Sequence, residues 1–296
     1  MSSNIKAHIA LFGATMIFGV NYWLAKGLMP DHLTPQQLVF LRIAGATFLF
    51  FAFSWITGNE KVATKDLLRI GIAGIFGTAV NQLLFFIGLN LTTPVDVAII
   101  HVSNPIFVLV IAAIFINEKI SFLKVAGIIL GATGAIILIV YRGEISFSSN
   151  TFTGNLLAML NTLAYAIYMV IIKPVMARYK PFTVMKWVFL SGLVFALPFT
   201  FNSMMSVSFE SFSTHTWLSM FYVIIVTTFL AYLLTIYALK QVEASVASYY
   251  IYLQPVVATL IALWLGMQSL TISKLFAAML IFTGVFLVSR KRKTGK

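Results

Sequence analysis

The sequence predicts an all-α membrane protein whose ten transmembrane helices form two inverted five-helix repeats. Three observations lead there. Of 296 residues, 60% are apolar and 9% are charged, where a soluble domain carries about 25% charged residues; mean hydropathy is +0.97. The apolar residues come in runs of about 20, long enough to cross a hydrocarbon core of roughly 30 Å. The chain also repeats itself. Residues 82–140 lie over 232–290 without a gap, at the offset that separates Pro105 from Pro255 (255 − 105 = 150). Leu83, Leu89, Ala112, Lys124, Thr133 and Gly134 meet identical residues at 233, 239, 262, 274, 283 and 284. An odd number of spans per copy makes the second copy enter from the opposite face, so an axis in the membrane plane relates the halves.

The elements follow in order. The first span, 9–28, begins after Lys6; it is too long for a signal-peptide core, lacks a small-residue cleavage site, and is read as retained. Pro30 and Pro35 mark the turn into 35–57, and Gly58-Asn59 mark its end. The third span, 68–90, carries Gly71, Gly74 and Gly77. Pro94 opens the fourth, 94–116, which Asn117 ends. The fifth, 122–140, carries Gly127, Gly131 and Gly134. Small residues at this spacing let helices approach closely in lipid, and are read as packing inside one chain; nothing in them fixes an oligomeric state. The second half follows with 153–173, 183–201 after Pro181, 217–238, 244–266 and 272–289. The connectors 141–152 and 202–216, rich in Ser, Thr and Phe, are surface loops without room for a soluble domain. The organisation is therefore a first repeat at 8–140, a second at 153–289, and a basic tail at 290–296.

The net charge of +12 does not point to nucleic acid, because excess Lys and Arg in a membrane chain set orientation. With the N-terminus inside, the inner loops receive Lys6, Lys61, Lys65, Arg69, Lys119, Lys124, Arg178, Lys180, Lys186 and Lys240. The run Arg290-Lys291-Arg292-Lys293 joins them as an anchor near anionic lipid. The outer side receives mainly Lys26, Arg142 and Lys274. Both termini are expected in the cytoplasm, in a bacterial-type inner membrane. The chain has no cysteine, which excludes thiol chemistry and disulfides; no His or carboxylate constellation suggests a metal, and no cofactor is implied.

Pro105 and Pro255 each break a long apolar run directly after a side-chain amide, Asn104 and Gln254. By helical rise both amides lie roughly 15 Å into their spans, near mid-membrane. A proline cannot donate to the carbonyl four residues back, so the carbonyls of His101 and Ile251 are expected to seek other partners. His101 shares a face with Asn104 and Pro105 and is the candidate for proton coupling. Ser248 and Tyr252 share a face of the ninth span and rank above Gln254 as cavity residues. Tyr165 and Tyr168 continue a stripe from Asn161 in the sixth span, offering apolar faces with polar tips. Gln82 and Tyr232 occupy matching positions in the third and eighth spans, and Asn21 and Trp23 complete the cavity set. Arg42, roughly 10 Å into the second span, is read with Glu118 as a gating or orienting residue. Arg42 is expected to snorkel outward or to pair with Asp31 or Asp96, and Glu118 to pair with Lys119 or Lys124.

Several of these residues carry a family resemblance. Phe115-Ile116-Asn117-Glu118-Lys119-Ile120-Ser121 leads into the glycine-spaced fifth span, after a fourth span with a central proline. Phe18-Gly19-Val20-Asn21 and Arg42 fit the same pattern. The chain thus resembles an EamA-domain transporter of the drug/metabolite transporter superfamily, with two such domains. The second copy departs from it, with Gln268 at the place of Glu118 and Ala277 at that of Gly127. The resemblance implies movement of a small organic metabolite, such as an amino acid or related compound, through a cavity between the halves. The expectation is a secondary transporter working by alternating access, with proton coupling through His101 as the candidate energy source and the small-molecule substrate and the lipid bilayer as its partners. No ATP-binding P-loop occurs, so the energy comes from a gradient. An organic-phosphate or nucleotide-sugar exchanger is the rival within the superfamily; a channel is more distant, and no enzyme motif is present.

Overall fold

The computed structural model describes residues 3–29, 31–58, 60–92, 97, 100–140, 149–264 and 271–289. Every regular element among them is helical. Counting a helix with an internal π or 3₁₀ turn as one, the elements begin with α1 Ser3–Leu28, α2 Pro35–Ile56 and α3 Thr64–Leu91. They continue with α4 Asn104–Phe115, α5 Phe122–Val140, α6 Ser149–Met176, α7 Pro181–Met204 and α8 Thr214–Leu239. The last two are α9, spanning 244–264, and α10 Ile272–Ser289. Of the described residues, α1, α2, α3, α6, α7 and α8 are long and apolar enough to cross a membrane, and α4, α5 and α10 are shorter apolar helices. Large apolar side chains such as Phe48, Trp55, Phe122 and Phe286 stand exposed around the outside, the surface that meets lipid in an integral membrane protein.

Local chemistry sets the ends. Thr34 caps α2 in a reciprocal box with Gln37, and Pro35 occupies the first helical position, where no N–H is needed. Gln37 then donates to the Ser203 carbonyl at 2.8 Å, tying the start of α2 to the end of α7. Gly58 and Asn117 both take positive φ, the left-handed turn that glycine and asparagine tolerate best. Lys26 donates to the Leu89 carbonyl at the end of α3, and Lys173 donates to Leu239 at the end of α8, so both lysines cap helix C-termini.

The helix pairs are α1 with α8, α3 with α6, α2 with α7 and α5 with α10; α4 packs on α6, α9 on α1, and α4 on α9. The glycines of α5 face α10 and α9. Added side chains at Gly127 and Gly134 would strike α10 backbone, and one at Gly131 would strike the Tyr252 ring. Two π turns interrupt the long helices, Ile75–Val80 in α3 and Tyr222–Leu230 in α8. In each, a buried threonine hydroxyl takes up a backbone carbonyl: Thr78 to Gly74 at 2.6 Å and Thr228 to Val223 at 2.7 Å.

The fourth and ninth segments are broken rather than bent. Turn residues Val102 and Ser103 separate His101 from α4, and a 3₁₀ turn at Tyr250–Tyr252 splits α9 just ahead of Pro255. The carbonyl of Ile251, expected to seek another partner, has the Leu253 N–H directed at it and at that of Tyr250. The Pro255 ring, Asp96 and Gln268 lie outside the described side chains.

Candidate functional site

The breaks in α4 and α9 open onto a cavity of about 120 Å³, roughly ten water-sized positions at about 10–15 Å³ each. Helix α1 lines it with Thr15, Phe18, Asn21 and Tyr22, one helical face by spacing. Arg42 enters from α2, and Asn81, Gln82, Phe85 and Phe86 from α3. His101 and Asn104 come from the α4 break, and Asn161, Thr162 and Tyr165 from α6. Tyr232 and Thr235 come from α8, and Ser248, Ile251 and Gln254 from α9. Both halves of the sequence therefore contribute, and no carboxylate lines the space among the described residues.

A hydrogen-bonded chain crosses one wall. Asn161 and Asn81 clasp each other across α6 and α3: the Asn161 amide donates to the Asn81 carbonyl at 2.7 Å, and Asn81 returns the bond at 3.3 Å. That clasp fixes Asn161 Oδ1 as the free acceptor, 2.9 Å from His101 Nε2, so Nε2 carries a hydrogen. In a neutral ring Nδ1 is then an acceptor, and the Tyr22 hydroxyl lies 2.6 Å from it. The same hydroxyl lies 3.3 Å from Gln254 Oε1. Tyr22 has one hydrogen for two acceptors.

The lining also holds a buried charge. Arg42 is 3% exposed, and its Nε and Nη1 make no hydrogen bond. Its guanidinium sits over the Phe86 ring, 4.8 Å from the centroid, a contact worth about 0.5–2 kcal/mol. A buried cation without a counter-ion costs several kcal/mol, more than that stacking supplies. Buried polar atoms of Asn21, Gln82 and Asn104 are likewise without partners, although Asn104 Nδ2 does donate to the Thr162 carbonyl at 3.1 Å.

Of the residues singled out in the sequence, Asn21, Gln82, His101, Asn104, Tyr165, Tyr232, Ser248 and Gln254 line the cavity, and Pro105 is buried behind Asn104. Three do not line it. Trp23 is 42% exposed on the outside, since two residues along a helix turn a side chain about 200° from Asn21. Tyr168 packs into the notch left by Gly77 in the α3 π turn, its hydroxyl toward Met185 Sδ. Tyr252 fills the notch at Gly131 and stacks edge-on against Tyr249. The 3₁₀ turn at 250–252 changes the helical phase, so Ser248 and Gln254 reach the cavity and Tyr252 does not. Arg42 corrects a further expectation: Asp31 is exposed, and no described carboxylate pairs with the guanidinium. Glu118 does bond Lys124, at 2.9 Å, but it also accepts the N–H groups of Ala244 and Ser245 and the Ser245 hydroxyl, so it caps α9.

Sequence reasoning missed Tyr22, Phe85 and Phe86. The signal for Tyr22 was present, four residues beyond Phe18 on one helical face. Phe85 and Phe86 had no signal in a span where almost every position is apolar.

Residues 5–140 and 152–290 each match the EamA-like transporter family. The chain belongs to that family. EamA-like relatives cover nearly its whole length. An uncharacterized transporter of Archaeoglobus fulgidus is 31% identical over 88% of this chain and 90% of its own. The uncharacterized transporter YyaM of Bacillus subtilis is 24% identical over 97% and 94%. A probable terminal-alkyne amino-acid exporter of Streptantibioticus cattleyicolor is 24% identical over 79% and 77%. A solved crystal structure with 18% identity superposes with a TM-score of 0.76 over 97% of this chain and 96% of that one, a likeness of fold. The chain is thus an integral membrane protein of a transporter family.

Proposed function

We propose that this EamA-like protein is a secondary transporter that carries a small organic metabolite across the cytoplasmic membrane by alternating access between two inverted five-helix repeats. The observation that carries the reading is the central cavity, which matched positions of the two halves line together. Gln82 faces Tyr232 in the repeat, Asn104 faces Gln254, and His101 faces Ile251; all six line the space. Exchanging α1–α5 with α6–α10 turns the pair α1–α8 into α6–α3 and α4–α6 into α9–α1, and leaves α2–α7, α5–α10 and α4–α9 unchanged. The paired π turns, broken segments and capping lysines follow the same exchange. Such symmetry lets each half adopt the other's conformation, which swaps the face to which the site opens.

Ten spans, counted as the helices above with α4 and α9 completed through their breaks, put both termini on one side. That side is the cytoplasm by the charge distribution. Residues from its predicted loops meet in space: Arg178 bridges Asp66 at 2.7 Å, and Lys180 N–H donates to Glu60 at 2.9 Å. Asn104→Ala is expected to lower the rate of substrate counterflow in proteoliposomes at least tenfold while membrane insertion is unchanged; wild-type counterflow in a correctly inserted variant sinks the cavity as the transport path.

Proton coupling follows from Tyr22. When His101 takes a proton on Nδ1, that nitrogen becomes a donor, the Tyr22 oxygen must accept, and its hydrogen turns to Gln254. A proton arriving at the first half is thereby reported to the broken helix of the second. Both His101→Gln and Tyr22→Phe are expected to abolish accumulation driven by a pH gradient. Tyr22→Phe should keep counterflow within a few-fold of wild type, and pH-driven accumulation retained in both variants would rule the relay out.

A further inference from the structure

We infer that the cavity binds a small organic monoanion whose single carboxylate pairs with Arg42 and whose donor groups meet the amides of Asn21, Gln82 and Asn104. The inference rests on the reading of the cavity as a transport site and names the class of solute that the site takes.

Charge comes first. Arg42 is the one permanently charged side chain among the described residues of the lining, and the lining contains no carboxylate. It is 3% exposed, and its Nε and Nη1 hydrogens are unused. A guanidinium is planar, always charged and shaped to hold two oxygens of one acid group side by side. Lys26 and Lys173 are occupied in capping α3 and α8, Lys124 is paired with Glu118 and Glu243, and both ring nitrogens of His101 have partners. One cation balances one negative charge. A phosphate ester, close to doubly charged at neutral pH, would leave an unbalanced charge in a site with no second cation, so a carboxylate fits better.

The remaining contacts describe the rest of the solute. Asn21 Oδ1, Asn104 Oδ1 and Gln82 Oε1 are buried acceptors without donors, which calls for hydroxyl hydrogens near the acid group. Phe86 and Phe85 offer apolar surface beside Arg42 and His101, which suits a short hydrocarbon body.

The test uses the purified full chain in detergent and a series of 2-hydroxy and 2-oxo acids of increasing chain length, each with its carboxamide, together with zwitterionic 2-amino acids as the net-neutral comparison and inorganic phosphate. Binding is read as a saturable rise in melting temperature. The expected result is that at least one acid binds, that its carboxamide binds roughly 100-fold more weakly or not at all, and that phosphate competes poorly. Arg42→Gln should erase the preference for acid over amide, while Arg42→Lys should keep part of it. Equal binding of acid and amide, binding of no acid in the series, preference for phosphate, or an undiminished preference in Arg42→Gln overturns the inference. If Arg42→Gln fails to fold, the wild-type comparison of acid with amide decides alone. Counterflow in proteoliposomes separates this inference from the transport reading: saturable exchange of neutral or cationic solutes only would overturn the anion, and acid binding without translocation would overturn the carrier.

Discussion

Replacing Glu118 with alanine is expected to lower stability by about 3 kcal/mol, a fall in melting temperature of roughly 5–10 °C, and to weaken closure of the cavity at the end proposed to face the cytoplasm. The Glu118 carboxylate accepts the first N–H groups of α9, from Ala244 at 3.2 Å and Ser245 at 3.3 Å, and bonds Lys124 at 2.9 Å. Both side chains are nearly fully buried. Alanine leaves Lys124 with Glu243, itself 56% exposed, as its remaining carboxylate, and it removes a negative charge from a helix N-terminus that favours one. Glu118→Gln keeps the shape and the acceptor for α9 but not the charge, so its loss should be smaller. The functional consequence follows from position. Glu118 stands just beyond α4 of the first half and holds the start of α9 of the second, the two elements whose breaks frame the cavity. Opening at this end requires that clamp to part. The chain has no native cysteine, so Ser248→Cys provides a reporter, labelled from the cytoplasmic side of inverted vesicles. Labelling should rise several-fold in Glu118→Gln; unchanged labelling and an unchanged melting temperature in both variants would remove Glu118 from the closing machinery.

The second large effect is expected at Gly284. A methyl group there would press into the Gly127 carbonyl and the backbone of Gly131, where no side chain can turn aside. Lipid gives helices little hydrophobic reason to associate, so α5 and α10 depend on this close backbone approach. Gly284→Ala should force them apart at about 1–3 kcal/mol, and Gly284→Val should do more, with loss of folded protein after extraction. Gly71 supplies the control. A methyl group there meets nothing within 4 Å, and alanine is the better helix former by about 1 kcal/mol, so Gly71→Ala should raise the melting temperature slightly. Equal responses at the two positions would show that the contact contributes nothing.

The contrast between these glycines marks what a sequence conveys in lipid. Gly71 and Gly284 both sit at helical spacing with other small residues, and both read as packing positions. One is packed and one is open, because the pattern identifies a face but not its neighbour. The cavity residues divide in the same way. Asn21 and Trp23 differ by two positions, and helical geometry alone separates the one that faces inward from the one that faces lipid. The same geometry sets Ser248 and Tyr252 above Gln254; it holds for Ser248 and not for Tyr252, because a 3₁₀ turn at Tyr250–Tyr252 shifts the phase before Gln254. Proline announces that a helix is interrupted without stating how the turn ahead of it is wound.

Composition, periodicity and the internal repeat determined the membrane class, the positions of the helices and the two proline breaks, since each depends on local backbone chemistry and on the solvent around the chain. Arg42 shows where that ends. In the sequence it is a cation in an apolar run, which snorkelling or an aspartate would explain equally well. Only the packed helices turn it toward the cavity, place Phe86 beneath it and leave its hydrogens unused. The partners of a buried charge come from helices distant in the chain, so tertiary structure alone decides whether the charge is neutralised by the fold or kept for a solute.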